Sequence, residues 1–171
     1  MLETPRLILR PFEASDAEAA HVWFSDPEMF RFYTYGPYRS LEDTATRIHE
    51  YRRQFEKTGF GKWIVLDKTS GIPIGDAGLM LEEETGEVHV GYKIARSSWG
   101  RGFATEAAQE WVRQGFEELD LKRIAAFIHP MNAPSIRVVQ KLKFSFYTSR
   151  READIDWNVY ELTREARLGA S

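Results

Sequence analysis

The chain has 171 residues, 43% hydrophobic and 29% charged, enough for one domain with a proper core. It contains no cysteine, which excludes disulfides, thiolate metal sites and an acyl group parked on a protein thiol. A net charge of -3, from 23 basic and 26 acidic residues, argues against a nucleic-acid platform; no apolar run approaches the roughly 20 residues of a membrane span, and with no secretory pattern at the start the expected location is the cytoplasm.

Residues 4–10 predict a first strand, because Leu7 and Leu9 alternate with Ile8 and charged neighbours until Pro11, and an edge position suits it. Ser15 or Asp16 is the expected cap of a helix through Ala19, Ala20 and Trp23, and residues 43–57 predict a second with Ile48, Tyr51 and Phe55 on one side. Between them, Phe30, Phe32, Tyr33, Tyr35 and Tyr38 carry more ring surface than a solvated loop usually does. These rings either line a pocket or pack under the two helices.

Two strand-like runs, 63–66 and 72–81, are joined by turn chemistry at 67–71, and a strand at 87–95 follows the acidic turn 82–86. That pattern predicts a three-stranded antiparallel meander. The period then changes: Ala104, Ala107, Ala108, Trp111, Val112 and Phe116 recur at helical spacing through Leu119. A short strand at 124–128, a helix at 135–142 with Ile136, Val138, Val139 and Leu142 apolar, and strands at 144–148 and 154–162 complete the order. No repeat or linker interrupts it, so a single α/β domain over 1–171 is expected, with a mixed, mostly antiparallel sheet flanked by helices.

The chemistry concentrates in two places. Trp99-Gly100-Arg101-Gly102-Phe103-Ala104-Thr105-Glu106 is a glycine-bearing turn that leads from a strand into the amphipathic helix. A helix start leaves about four backbone N–H groups unpaired and carries partial positive charge, so a close-approaching turn there suits a pyrophosphate. Alone, the two glycines also read as a tight turn needing positive φ. Neither a Gly-Lys-Ser/Thr nor a full Gly-x-Gly-x-x-Gly follows, which disfavours ATP-type and dinucleotide readings. The second place is Asn132-Ala-Pro-Ser135, which opens the next helix after a strand ending at His129-Pro130. Asn132 also reads as that helix's N-cap.

Together these motifs resemble the GNAT superfamily of N-acetyltransferases, in its branch of ribosomal-protein N-terminal acetyltransferases. The resemblance runs from Glu3-Thr-Pro-Arg-Leu-Ile-Leu-Arg10 through Gly91-Tyr-Lys-Ile94, the glycine turn and residues 132–144 to Tyr160-Glu-Leu-Thr-Arg164. It implies acetyl-CoA as co-substrate and a sheet splayed between the strand of Tyr92 and that of Ile124. Backbone N–H groups of Arg101 to Thr105, with charge from Arg101, would hold the pyrophosphate in a loop running from Trp99 and Gly100 through Gly102, Phe103 and Ala104. Tyr92, Lys93 and Ile94 would bind the pantetheine arm along their strand, with Asn132 and Ser135 beside it. Val139 stands where many relatives carry a proton-donating tyrosine, so the resemblance passes that role to Ser135. Lys143 stands where relatives usually have glycine.

Acetyl transfer to an amine needs an uncharged nucleophile, a polarised carbonyl and a proton source for sulfur. A free strand N–H near Ile94 would meet the carbonyl. Glu87 and His89, two apart and so on one strand face, are the candidate bases. Tyr33, Tyr35 and Arg96 flank the expected site and are the candidate acceptor contacts. The other histidines are not arranged for a metal. The expected function is direct transfer to a protein N-terminus or small amine in a ternary complex; the alternative is a silent acyl-CoA-binding sensor or assembly module. The resemblance also allows a homodimer.

Overall fold

The computed structural model describes residues 1–152 and 154–169; residues 153, 170 and 171 of the expected domain lie outside the described residues. Eight strands form one sheet: β1 (Leu2–Glu3), β2 (Leu7–Pro11), β3 (Lys62–Asp67), β4 (Pro73–Leu81), β5 (Val88–Ile94), β6 (Arg123–Ile128), β7 (Ser145–Glu152) and β8 (Ile155–Thr163). Five helices accompany it: α1 (Ala17–Phe24), α2 (Leu41–Thr58), α3 (Phe103–Glu117), α4 (Ala133–Lys141) and α5 (Arg164–Gly169). The spatial order is β1-β2-β3-β4-β5-β6-β8-β7. All neighbours are antiparallel except β5 and β6, which run parallel and meet only at His89 and Ala125.

The expected meander is β3-β4-β5. Residues 4–10 differ from expectation. The chain turns at Thr4, whose N–H bonds the Leu7 carbonyl at 3.0 Å, so a short β1 folds back on β2 and takes the edge, leaving β2 inside. Pro11 still ends the strand because it cannot donate to a ladder. Neither Ser15 nor Asp16 caps α1 by its side chain. The Asp16 carboxylate is occupied by the Arg10 guanidinium at 2.8 Å and by the Glu13 amide at 2.7 Å. Helix α2 begins two residues earlier than expected, where Ser40 and Asp43 cap each other's backbone N–H groups, and ends at Gly59 in the left-handed region.

Alternation along the strands gives each sheet face its own core. Leu7, Leu9, Trp63, Val65, Leu79, Val90, Ile124 and Leu162 pack against Phe103, Ala107, Trp111 and Phe116 of α3. On the other face, Phe12 and Ile64 pack with Trp23 and Phe24 of α1, Ile48 and Tyr51 of α2, and Phe30. This periodicity was readable; the insertion of β8 between β6 and β7 was not, since strand order depends on contacts far apart in sequence.

Lys143 follows α4 with φ 67. Its N–H bonds the Gln140 carbonyl and the Phe144 N–H bonds that of Val139, each at 3.0 Å, so a left-handed turn that suits glycine is made here by a residue with a Cβ. A non-glycine residue in this region costs about 1 kcal/mol or more. Lys143→Gly is therefore expected to raise the thermal midpoint by roughly 2–4 °C, while Lys143→Ala, which keeps the Cβ, gives no such gain in thermal unfolding.

Candidate active site

Because β5 and β6 share a single bridge, they diverge toward Ile94 and Ile128 and leave a cleft between them. The cavity there measures about 80 Å³ and is lined from one side by Val90, Gly91 and Tyr92, and from the other by Ala126, Ile128, Asn132 and Ser135. Phe32, Tyr33, His129 and Trp157 complete its wall.

The backbone of β5 serves this cleft by alternation. The Ala95 N–H bonds the Ile74 carbonyl at 2.8 Å, toward β4. Successive residues of a strand present their amides to opposite sides. Lys93 and Gly91 therefore also face β4, while Ile94 and Tyr92 point their N–H groups into the gap where β6 has moved away. The Ile94 carbonyl is met by the Trp99 indole N–H at 2.5 Å, fixing a half-exposed ring at the end of the strand.

The glycine turn leads into α3 as expected. Gly100 and Gly102 have φ 73 and 81, and Gly102 caps the helix with no side-chain bond. The helix ladder starts with the Glu106 N–H on the Gly102 carbonyl at 3.0 Å, so the amides just before it point out of the helix end, free for an anion. Glu106 locks this turn to the β1-β2 corner: its carboxylate accepts from the Thr4 hydroxyl at 2.6 Å, the Arg6 amide at 2.8 Å and the Arg6 guanidinium at 2.7 Å. Burial opposes that charge, but these bonds outweigh it and hold the carboxyl below its ordinary range. Arg6 also donates to the Arg101 carbonyl at 2.9 Å, and both guanidinium groups lie over the Phe103 ring at 4.8 and 4.5 Å. A groove of about 790 Å³ opens beside the turn, lined in part by Arg6, Gly102, Thr105, Lys141 and Lys143.

Asn132 caps α4, accepting the Ser135 N–H at 3.3 Å. Across the cleft, the Tyr92 hydroxyl donates to the Ser135 carbonyl at 3.1 Å, tying the two limbs of the opening together. Burial pushes the Tyr92 phenol up, so it stays protonated.

Beside this split sheet, with free strand amides along one limb and an anion-ready helix start, stands a sequence match over residues 6–145 to the family model described as "Acetyltransferase (GNAT) domain". The chain belongs to the GNAT acetyltransferase family. It is an N-acetyltransferase that uses acetyl-CoA. It is 33% identical over 144 residues to the uncharacterized N-acetyltransferase p20 of Bacillus licheniformis, covering 84% of this chain and 81% of that one. It is 30% identical over 171 residues to the uncharacterized N-acetyltransferase YoaA of Bacillus subtilis, covering 96% and 97%. In fold it is similar to RimL, a ribosomal L7/L12 alpha-N-protein acetyltransferase solved with coenzyme A, at TM-score 0.82 and 17% identity over 95% of this chain and 97% of that one. No helix among the described residues is long and apolar enough to cross a membrane.

Within this GNAT domain, Tyr33, Tyr92, Asn132 and Ser135 come together around the cleft. The Lys93 side chain does not line it: it lies one layer behind the wall, against Phe24, Phe30 and Tyr33. Tyr35 packs on Phe30 and Tyr33 at 5.6 and 5.4 Å, one layer behind the wall. Arg96 is turned to Asp26 at 3.2 Å. The two candidate bases fare worse. Glu87 is clamped by Arg123 at 3.1 Å and Arg150 at 2.5 Å; burial raises its pKa, but the two guanidinium groups outweigh that and leave it lowered, a weaker base than a free carboxylate. His89 sits at the closed apex of the cleft with Nδ1 buried and without a hydrogen-bond partner. Burial, and then the nearby Lys62 charge, lower its pKa to about 4, so taking up a proton there is costly.

Sequence reasoning took Phe32 only as part of the aromatic run and did not single out His129 or Trp157. Phe32 belongs to the aromatic run and carried a signal. His129 follows β6 directly, whereas Trp157 of β8 reaches the cleft because β6 and β8 are neighbours, which no local pattern reveals. The His129 Nδ1 accepts the Met131 N–H at 3.1 Å, which assigns the proton of the neutral ring to Nε2.

Proposed function

We propose that the enzyme moves the acetyl group directly to a primary amine, on a protein N-terminus or a small molecule, in a ternary complex in the cytoplasm. The observation that carries this reading is the opening between β5 and β6, with Ile94 and Tyr92 amides facing into it. Acetyl-CoA supplies an activated acyl group as a thioester. The amides from Arg101 to Thr105 hold its pyrophosphate, helped by the Arg101 charge, with Trp99, Gly100, Gly102, Phe103 and Ala104 shaping the turn. The groove with Arg6, Lys141 and Lys143 suits the phosphate-bearing adenosine end. The Tyr92 and Ile94 amides bind the pantetheine arm, and an amide near Ile94 polarises the carbonyl. Ser135 gives the departing sulfur its proton, and Tyr33, with Tyr35 and Arg96 behind it, borders the acceptor. Direct transfer agrees with a chain that has no cysteine to carry the group.

With Glu87 clamped and His89 a poor proton acceptor, the amine reaches its neutral form by losing a proton to solvent. An α-amine, near 8, does so far more readily than a lysine, near 10.4. The test is release of free thiol from acetyl-CoA in the presence of a panel of amines and short peptides. The expected result is release that depends on one acceptor class, with kcat/KM rising through the pKa of that acceptor's amine. A rise centred near pH 6.5 whatever the acceptor would place a histidine in the base role. Binding of acetyl-CoA without release from any acceptor would favour the sensor reading.

A further inference from the structure

On the sheet face opposite α3, three charged residues are buried in adjoining rows. Lys62 of β3 pairs in register with Gly78 of β4 and Gly91 of β5; one row along, Ile64 pairs with Asp76 and then Lys93. Lys62, Asp76 and Lys93 are only 4%, 0% and 6% exposed. Both oxygens of Asp76 are engaged, Oδ1 by the Lys62 ammonium and Oδ2 by the Trp23 indole N–H, each at 2.8 Å. Lys93 has no carboxylate and no hydrogen-bond acceptor among the described residues. Its ammonium lies 5.0, 5.7 and 6.0 Å from the ring centres of Tyr33, Phe24 and Phe30. Ring faces attract the charge but offer no lone pair to its three N–H donors.

Both ammonium groups stand directly behind the cleft wall. Gly91 and Tyr33 line the cleft. A Cβ on Gly91 would come within 3.2 Å of the Lys62 Nζ, so the lysine head occupies the space that a side chain there would fill. Tyr33 presents the other contact, with its ring in the wall and Lys93 against it. The surrounding charges are spoken for: Arg47 by Glu50 and the Tyr38 hydroxyl, Arg96 by Asp26. Two ammonium groups against one carboxylate, with a neutral His89 beside them, leave this side of the cleft with one net positive charge.

Resting on the acetyl-transfer reading above, we propose that the acceptor is an amine whose carrier also bears a carboxylate, drawn to the Gly91 and Tyr33 wall beneath the aromatic loop by the charges of Lys93 and Lys62 behind it. Such an acceptor supplies the missing counter-charge. The same field disfavours an ammonium and so favours the neutral, nucleophilic amine, which suits a site without a free carboxylate base. Polycationic amines meet repulsion here rather than an acidic wall.

The test uses free amino acids, each beside its carboxamide, with putrescine as the cation, in the thiol-release assay. The expected result is a kcat/KM at least tenfold higher for the acid than for its amide, with putrescine lowest; Lys93→Met should bring the ratio to about one and Lys93→Arg should keep it well above one. Calorimetry with the N-acetylated amino acid and with its carboxamide gives a readout independent of turnover: the acid should bind more tightly to the native enzyme and lose that advantage in Lys93→Met. Equal turnover of acid and amide, faster turnover of putrescine, or an acid preference that survives Lys93→Met would overturn the proposal while leaving acetyl transfer intact. Failure of every amine to release thiol would strike the acetyl-transfer reading instead, and the calorimetric comparison would then decide carboxylate recognition by itself.

Discussion

Asp76→Ala is expected to lower the stability of the enzyme by about 3–5 kcal/mol, because it leaves the Lys62 ammonium buried without its carboxylate. The Trp23 indole N–H loses its acceptor in the same step. For a chain of this length that is a fall of roughly 10 °C in thermal midpoint. Replacing the pair together, as Lys62→Met with Asp76→Leu, removes both charges along with their desolvation cost, and such exchanges are often neutral or stabilising. The double variant should therefore recover most of the loss in thermal or urea unfolding. Equal destabilisation of single and double variants would mean that shape, and not charge, is what the Lys62–Asp76 pair contributes.

Ser135→Ala is expected to lower kcat by about 100-fold or more, the usual scale for a positioned proton donor, with little change in KM for acetyl-CoA. The backbone of Ser135 is held from two sides, its N–H on Asn132 Oδ1 and its carbonyl on the Tyr92 hydroxyl. That fixes the start of α4 at the cleft, so the hydroxyl is presented from a rigid position and its removal leaves the surroundings in place. The partial positive charge of the helix start remains in the variant and still favours a departing thiolate, which is why a residual rate is expected. A variant with native kcat would assign the proton to solvent or to another group lining the cleft. Tyr92→Phe separates positioning from chemistry: losing the bond across the cleft should weaken kcat less than loss of the hydroxyl of Ser135.

Most of the framework is legible in the residues alone. Strand and helix periods located β3, β4, β5, α2, α3 and α4 to within a few residues, because each buries one face and alternation or 3.6-residue spacing records that locally. The glycine turn and Asn132-Ala-Pro-Ser135 were legible for the same reason: a helix start needs particular residues at particular offsets, and those offsets are short. Contacts across the sheet, between residues far apart in the chain, are not legible in this way. The turn at Thr4 is held by Glu106, about 100 positions along the chain. Trp157 reaches the cleft only through the placement of β8 beside β6. Glu87 reads as an exposed candidate base after an acidic turn, yet two arginines from β6 and β7 claim it. The charge balance behind the cleft wall is of the same kind: Lys62, Asp76 and Lys93 are unremarkable one at a time, and only strand register brings two ammonium groups and one carboxylate together where water cannot screen them.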